Sequence, residues 1–82
     1  MKTKIFNSLG TSRSKIADCI HRSFIESGVN FATGVPCGVL KHIIRNLNND
    51  TRVLHVPANR ESEAIGLAAG AYLAGKTPIV YS

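Results

Sequence analysis

Three groups of residues in this 82-residue chain are of types that do chemistry. The first is Asn59-Arg60-Glu61, which leads into a run of small and apolar residues from Ala64 to Ala74. A carboxylate at the mouth of an apolar helix stands at the edge of a dry region. There burial and the helix dipole pull its charge in opposite directions, so it can share a proton with a basic partner. Acidic residues are also favoured in the first turn of any helix, which gives Glu61 a plainer use. Glu63 shares that turn and reads as the more solvent-facing of the two, while Arg60 reads as either a surface charge or an anion contact. The second group is Gly34-Val35-Pro36-Cys37-Gly38, a turn from a strand into a helix. A thiol beside a helix N-terminus becomes a nucleophile when a histidine pairs with it. No such pair is evident, and a small residue in a tight turn is the plain reading of Cys37. The third group, Gly70 to Thr77, satisfies the phosphate-loop pattern G-x-x-x-x-G-K-[ST].

The elements that must carry these groups follow from hydrophobic spacing. Ile16, Ile20 and Phe24 recur every fourth residue and predict a helix over 14–27, ended by Gly28. Val29 to Thr33 reads as a strand, and Gly34-Val35-Pro36 as the turn after it. Val39, Leu40, Ile43, Ile44 and Leu47 give a helix over 37–47 one apolar face, with Lys41, His42 and Arg45 on the other. Asn48-Asn49-Asp50 is a turn and 51–56 a strand. A third helix is predicted over 60–74, with Asn59 as its cap and Gly75 just beyond its end. Pro78 to Tyr81 is the last strand. The alternation of helix and strand argues an α/β fold, a parallel sheet with covering helices in three layers. Residues 1–13 read as a flexible arm.

That order decides against the phosphate loop. Phosphate binding needs a strand before the loop and a helix after it, so that backbone N–H groups converge. Here the helix comes first and the strand follows, so Gly75 reads as a helix C-cap with Lys76 at the carbonyl end of the dipole. The spacing Gly66, Gly70, Ala74 places small residues on one helical face and predicts close packing on a sheet or partner helix.

Composition narrows the classes further. Ten Lys and Arg against five Asp and Glu give a net charge of +5, which favours an anionic partner. The basic residues are scattered and not interleaved with aromatics, which argues against nucleic-acid binding. The two cysteines, Cys19 and Cys37, are too few for a disulfide framework or a zinc site and read as buried or half-buried free thiols. His21, His42 and His55 lack metal-ligand spacing. His21 and His42 read as polar surface, and His55 as a neighbour of Glu61. No signal-peptide core and no apolar run long enough to span a membrane is present, so a cytoplasmic protein is expected. The apolar strand Ile79-Val80-Tyr81 at the end of the chain would leave an open sheet edge, which predicts a fragment of something longer.

Several of these motifs together resemble a known family. Phe31-Ala32-Thr33-Gly34-Val35-Pro36-Cys37, then Leu40-Lys41, then Ala58-Asn59-x-Glu61-x-x-Ala64, then Ala68 to Lys76 are similar to thiamine-diphosphate-dependent 2-oxo acid decarboxylases. The nearest branches are phosphonopyruvate decarboxylase and the sulfopyruvate decarboxylase alpha subunit. The resemblance runs from Ser14 to Tyr81 and implies the N-terminal part, 14–82, of a pyrimidine-binding domain. It implies that Glu61 hydrogen-bonds the aminopyrimidine ring of the cofactor and promotes its imino tautomer, through which the thiazolium carbon loses its proton. It places Gly34 and Pro36 beside the cofactor and makes Cys37, Asn59 and Arg60 candidate substrate contacts. Arg60 resembles the sulfopyruvate branch, and Ala58-Asn59 the phosphonopyruvate branch. Either substrate is a small anionic 2-oxo acid, converted to an aldehyde and carbon dioxide. The family's magnesium ion belongs to the diphosphate-binding domain, which here would come from a partner or beta subunit in an oligomer. The chain departs from the family in lacking that domain and the strands after Tyr81, so it is expected to be inactive alone. The alternatives are a non-catalytic remnant that only associates with a partner and, more remotely, a nucleotide-binding domain using Gly70 to Thr77.

Overall fold

The expected alternation is present in the computed structural model, which describes residues 13–82. Helix α1 spans Arg13–Glu26, strand β1 Phe31–Gly34, helix α2 Lys41–Asn49, strand β2 Leu54–Pro57, helix α3 Glu61–Leu73 and strand β3 Pro78–Tyr81. A single 3-10 turn, Gly38–Leu40, introduces α2, so the helix expected over 37–47 begins later and runs further. The flexible arm expected over 1–13 lies outside the described residues except for Arg13, the first residue of α1.

Two helix ends follow directly from glycine. Gly28 and Gly75 have φ of 86° and 94°, the left-handed region that side chains other than glycine rarely adopt. After α1, the N–H of Val29 bonds the carbonyl of Phe24 and that of Gly28 bonds Ile25. After α3, Lys76 bonds Ala71 and Gly75 bonds Tyr72. Both are Schellman caps, which satisfy carbonyls the helix cannot. The Gly70–Thr77 stretch is therefore the end of a helix and the approach to β3, as the reversed context predicted.

The sheet has three parallel strands in the order β2-β1-β3. β1 is central and buried along its whole length. Alternation along the strands assigns the two faces. Ala32 and Tyr81 join Leu47 and Val53 in the core, with Phe24, Ile25, Ile43, Ile44 and Ile79 packed against them. α1 and α2 therefore lie together on that face. α3 covers the other, packing on β1 and β3 and leaving an open pocket between Phe31 and Val56 of the sheet and Gly66, Leu67 and Ala71 of the helix. The result is the three-layer α/β arrangement that the alternation implied.

The face under α1 and α2 is also tied by polar contacts. Asp50, just after α2, accepts from His21 Nε2 of α1 at 2.7 Å and from Arg52 Nη2 at 2.7 Å. Its other oxygen accepts from the Arg52 backbone N–H at 2.9 Å, an Asx-type turn leading toward β2. Hydrogen bonds from Arg52 and then His21 hold the Asp50 carboxyl well below the usual carboxylate range. His21 is thus a half-buried tether and not the free surface group expected from the sequence.

Candidate functional site

In a parallel sheet, ligands gather outside the carboxyl ends of the strands where neighbouring connections leave to opposite faces. β1 continues into α2 on one face and β2 continues into α3 on the other, so the switch point lies between β1 and β2. Gly34 pairs with Pro57 at that end, and the Ala58 N–H donates to the Gly34 carbonyl at 2.8 Å. The turns Val35-Pro36-Cys37 and Ala58-Asn59-Arg60 consequently rise side by side. Every residue singled out from the sequence as a site candidate falls on these two turns, at the end of β1, or at the start of α3.

The start of α3 distributes its acids unequally. Arg60 is the N-cap in extended conformation, with no side-chain cap bond, so the expected cap at Asn59 is displaced by one residue. Glu63 reaches back instead, and its Oε1 accepts from the Asn59 backbone N–H at 2.9 Å. A glutamate at the third helical position is well placed to satisfy an orphan donor in this way. Glu63 is exposed, as Glu61 is, but its carboxylate is committed to the backbone. Glu61 is exposed and, among the described residues, has no hydrogen-bond or ion-pair partner. It stands at the positive end of a 13-residue helix beside the switch point. Asn59 and Arg60 are also exposed there.

Across the crevice, Pro36 and Cys37 are exposed, and Cys19 is exposed as well, which corrects the expectation of buried thiols. Cys37 precedes a three-residue 3-10 turn, not a long helix. Pro36, Cys37, Gly38, Lys41, Ile44 and Arg45 line an open groove of about 520 Å³ that runs from this turn along α2. Lys41 and Arg45 bring positive charge to it without an acidic partner among the described residues.

Gly34 has a role that local sequence reasoning did not contain. A Cβ there would fall on the Tyr81 carbonyl and within 2.6 Å of the Tyr81 ring. The missing side chain is where the Tyr81 ring lies. Tyr81 OH then meets His55 Nε2 at 2.6 Å, and His55 Nδ1 meets Asn48 Oδ1 at 2.6 Å. His55 therefore points toward α2, on the face opposite α3, and is not the neighbour of Glu61 that its sequence position suggested. Burial pushes the His55 pKa down and that of Tyr81 up. No local pattern marks this group, since His55 and Tyr81 are 26 residues apart.

The small-residue stripe on α3 is open. Added Cβ atoms at Gly66 and Gly70 would meet nothing within 4 Å. The close packing expected of this stripe does not occur among the described residues. Nor is any group of three or more His, Cys, Asp or Glu side chains there placed to hold a metal ion. No helix among them is long and apolar enough to cross a membrane.

No protein-family model matches the chain. Curated relatives do. Over 60 residues the chain is 42% identical to sulfopyruvate decarboxylase subunit alpha of Methanococcus maripaludis, covering 73% of this chain and 36% of that protein. Over 57 residues it is 42% identical to the same subunit from Methanocaldococcus jannaschii, covering 70% and 34%. The Methanothermobacter thermautotrophicus subunit is 36% identical over 64 residues, covering 78% and 39%. Over this stretch the chain is similar to sulfopyruvate decarboxylase alpha subunits, and it spans little more than a third of the length of these relatives.

Proposed function

We propose that the chain is the N-terminal part of the pyrimidine-binding domain of a thiamine-diphosphate-dependent decarboxylase, acting on sulfopyruvate together with a partner subunit. The observation that carries this reading is the unengaged Glu61 at the sheet's switch point, in a stretch similar to alpha subunits of that activity. The residues present fit the cofactor's aminopyrimidine ring. A helix N-terminus holds a carboxylate that no internal group has claimed, and the neighbouring acid is already bonded to the backbone.

Thiamine diphosphate, when bound, supplies the electron sink for loss of carbon dioxide from a 2-oxo acid. Glu61 would hold or yield a proton at a ring nitrogen. The Pro36-Cys37 turn forms the facing wall. Arg60 is exposed at the mouth of α3 and Lys41 lines the groove beside Cys37, and this positive charge suits a substrate carrying a second anion next to its carboxylate. Magnesium and the diphosphate are assigned to the partner's diphosphate-binding domain.

The test combines the chain with a complementary diphosphate-domain subunit, thiamine diphosphate and magnesium, and measures carbon dioxide release. Release from sulfopyruvate well above that from phosphonopyruvate is the expected result. A preference for phosphonopyruvate would reassign the substrate. No release from either, with a partner that is active beside an authentic alpha subunit, would leave an associating module without catalysis.

A further inference from the structure

The Tyr81 ring does more than fill a gap. It starts on β3, crosses the central strand where Gly34 has no side chain, and bonds His55 on β2, so one side chain joins the two outer strands over the middle one. His55 is held in turn from α2. Asn48 Oδ1 can only accept, so His55 Nδ1–H donates to it and Nε2 is left to accept from Tyr81 O–H. The rings are tilted at 56° with centroids 5.5 Å apart, which fixes their mutual orientation as well as the bond. All three strands end here, and the two turns that flank the crevice leave from β1 at Gly34 and from β2 at Pro57, two residues after His55.

We propose that Tyr81 and His55 are positioning residues that set the separation of the Val35–Cys37 turn from the Asn59–Glu61 helix mouth. The ring acts as a spacer on Gly34, and the His55 bond fixes β2, and with it the start of α3, relative to that spacer. Asn48 orients the imidazole. The clamp stands on its own geometry; its effect on turnover rests on the decarboxylase reading above.

Two arms of one experiment separate the clamp from that reading. In the chain itself at neutral pH, imidazole 15N spectra should show His55 protonated on Nδ1 and bare on Nε2. Tyr81→Phe, which keeps the ring, should shift the amide signals of both Val35–Cys37 and Asn59–Glu61. Protonation on Nε2, or shifts confined to the immediate neighbours of Tyr81, would overturn the clamp whatever the chain's activity. In the assembly with the partner subunit, Tyr81→Phe and His55→Leu should lower kcat about tenfold per folded site with KM little changed. His55→Gln, whose carbonyl oxygen can still accept from Tyr81, should recover most of that loss. Unchanged kcat in Tyr81→Phe and His55→Leu would reduce the pair to packing. Absence of turnover in the unaltered assembly would sink the decarboxylase reading and leave the spectra to decide the clamp.

Discussion

Two helices cover one face of the sheet and one covers the other, and the polar contacts divide in the same way. Under α1 and α2, Leu47 and Ala32 are fully buried. There Asn46 donates to Asp18 at 2.9 Å, Asp50 gathers His21 and Arg52, and His55 links Asn48 to Tyr81. On the α3 face, Leu54 and Val80 of the sheet remain 54% and 46% exposed. The helix itself leaves Ile65, Tyr72 and Leu73 exposed at 63%, 69% and 85%. The lesson is that the apolar composition of α3 does not bury it within this chain. Among the described residues the first face is the better closed, with Val39 in the turn that introduces α2 its one large exposed apolar side chain at 83%, whereas the other leaves five large apolar side chains exposed. Glu61 belongs to the second face, so the residue with the best claim to chemistry stands where the described structure is least closed.

The sharpest way to break this contrast is to disturb the closed face. Leu47→Ala should cost about 3 kcal/mol, because a buried leucine leaves both lost transfer energy and a cavity. Gly34→Ala should cost a similar amount, about 2–3 kcal/mol, since the added methyl collides with backbone as well as ring. Chemical denaturation measures both, and losses below about 1 kcal/mol would mean that the face is looser than described.

Acid should act on the same face next. The Asp50 carboxyl titrates below its ordinary value of 3.8 in the folded chain, so its contribution is complete above that value and is lost as pH falls through the folded value. His55 titrates below its ordinary 6.5, so the folded state favours the neutral ring. Its contribution is complete above 6.5 and declines as pH falls below it. Stability should therefore fall in two stages on acidification. Asp50→Asn should remove the lower stage and His55→Gln the upper, as followed by thermal unfolding across pH.

The smallest expected effect is on the open face and has the opposite sign. Gly66→Ala meets no atom within 4 Å and exchanges a poor helix former for the best one. It should stabilise the chain by about 0.8 kcal/mol. A destabilisation would show that the stripe is packed after all, and the contrast between the faces would fail.

Much of the fold was legible because its signals are local. Gly28 and Gly75 each follow an apolar helical run, and only glycine takes the left-handed turn that ends such a run. β1 reads as a buried strand because Phe31-Ala32-Thr33 carries no charge, and the strand order makes it central. Glu61 was visible as the acid at the mouth of an apolar helix. What local reading missed depends on pairs far apart in the chain. His21 finds Asp50 across 29 positions and Tyr81 finds His55 across 26. The cap of α3 was misplaced because Asn59 is a favoured cap residue, yet the donor to be satisfied was its own N–H and the acceptor lay four residues on. The burial of α3 was misread because composition reports what a helix can bury, and not whether a neighbour is present to bury it.

The central claim is that Glu61 supplies the proton contact at the cofactor ring, and Glu61→Gln in the partnered assembly tests it most directly. The substitution keeps size and hydrogen bonding but cannot carry the proton as a carboxylate does. Turnover of sulfopyruvate should fall at least about 100-fold, with Tm and subunit association unchanged. Turnover within a few-fold of the unaltered assembly would contradict the account and leave Glu61 as a helix-terminus charge alone.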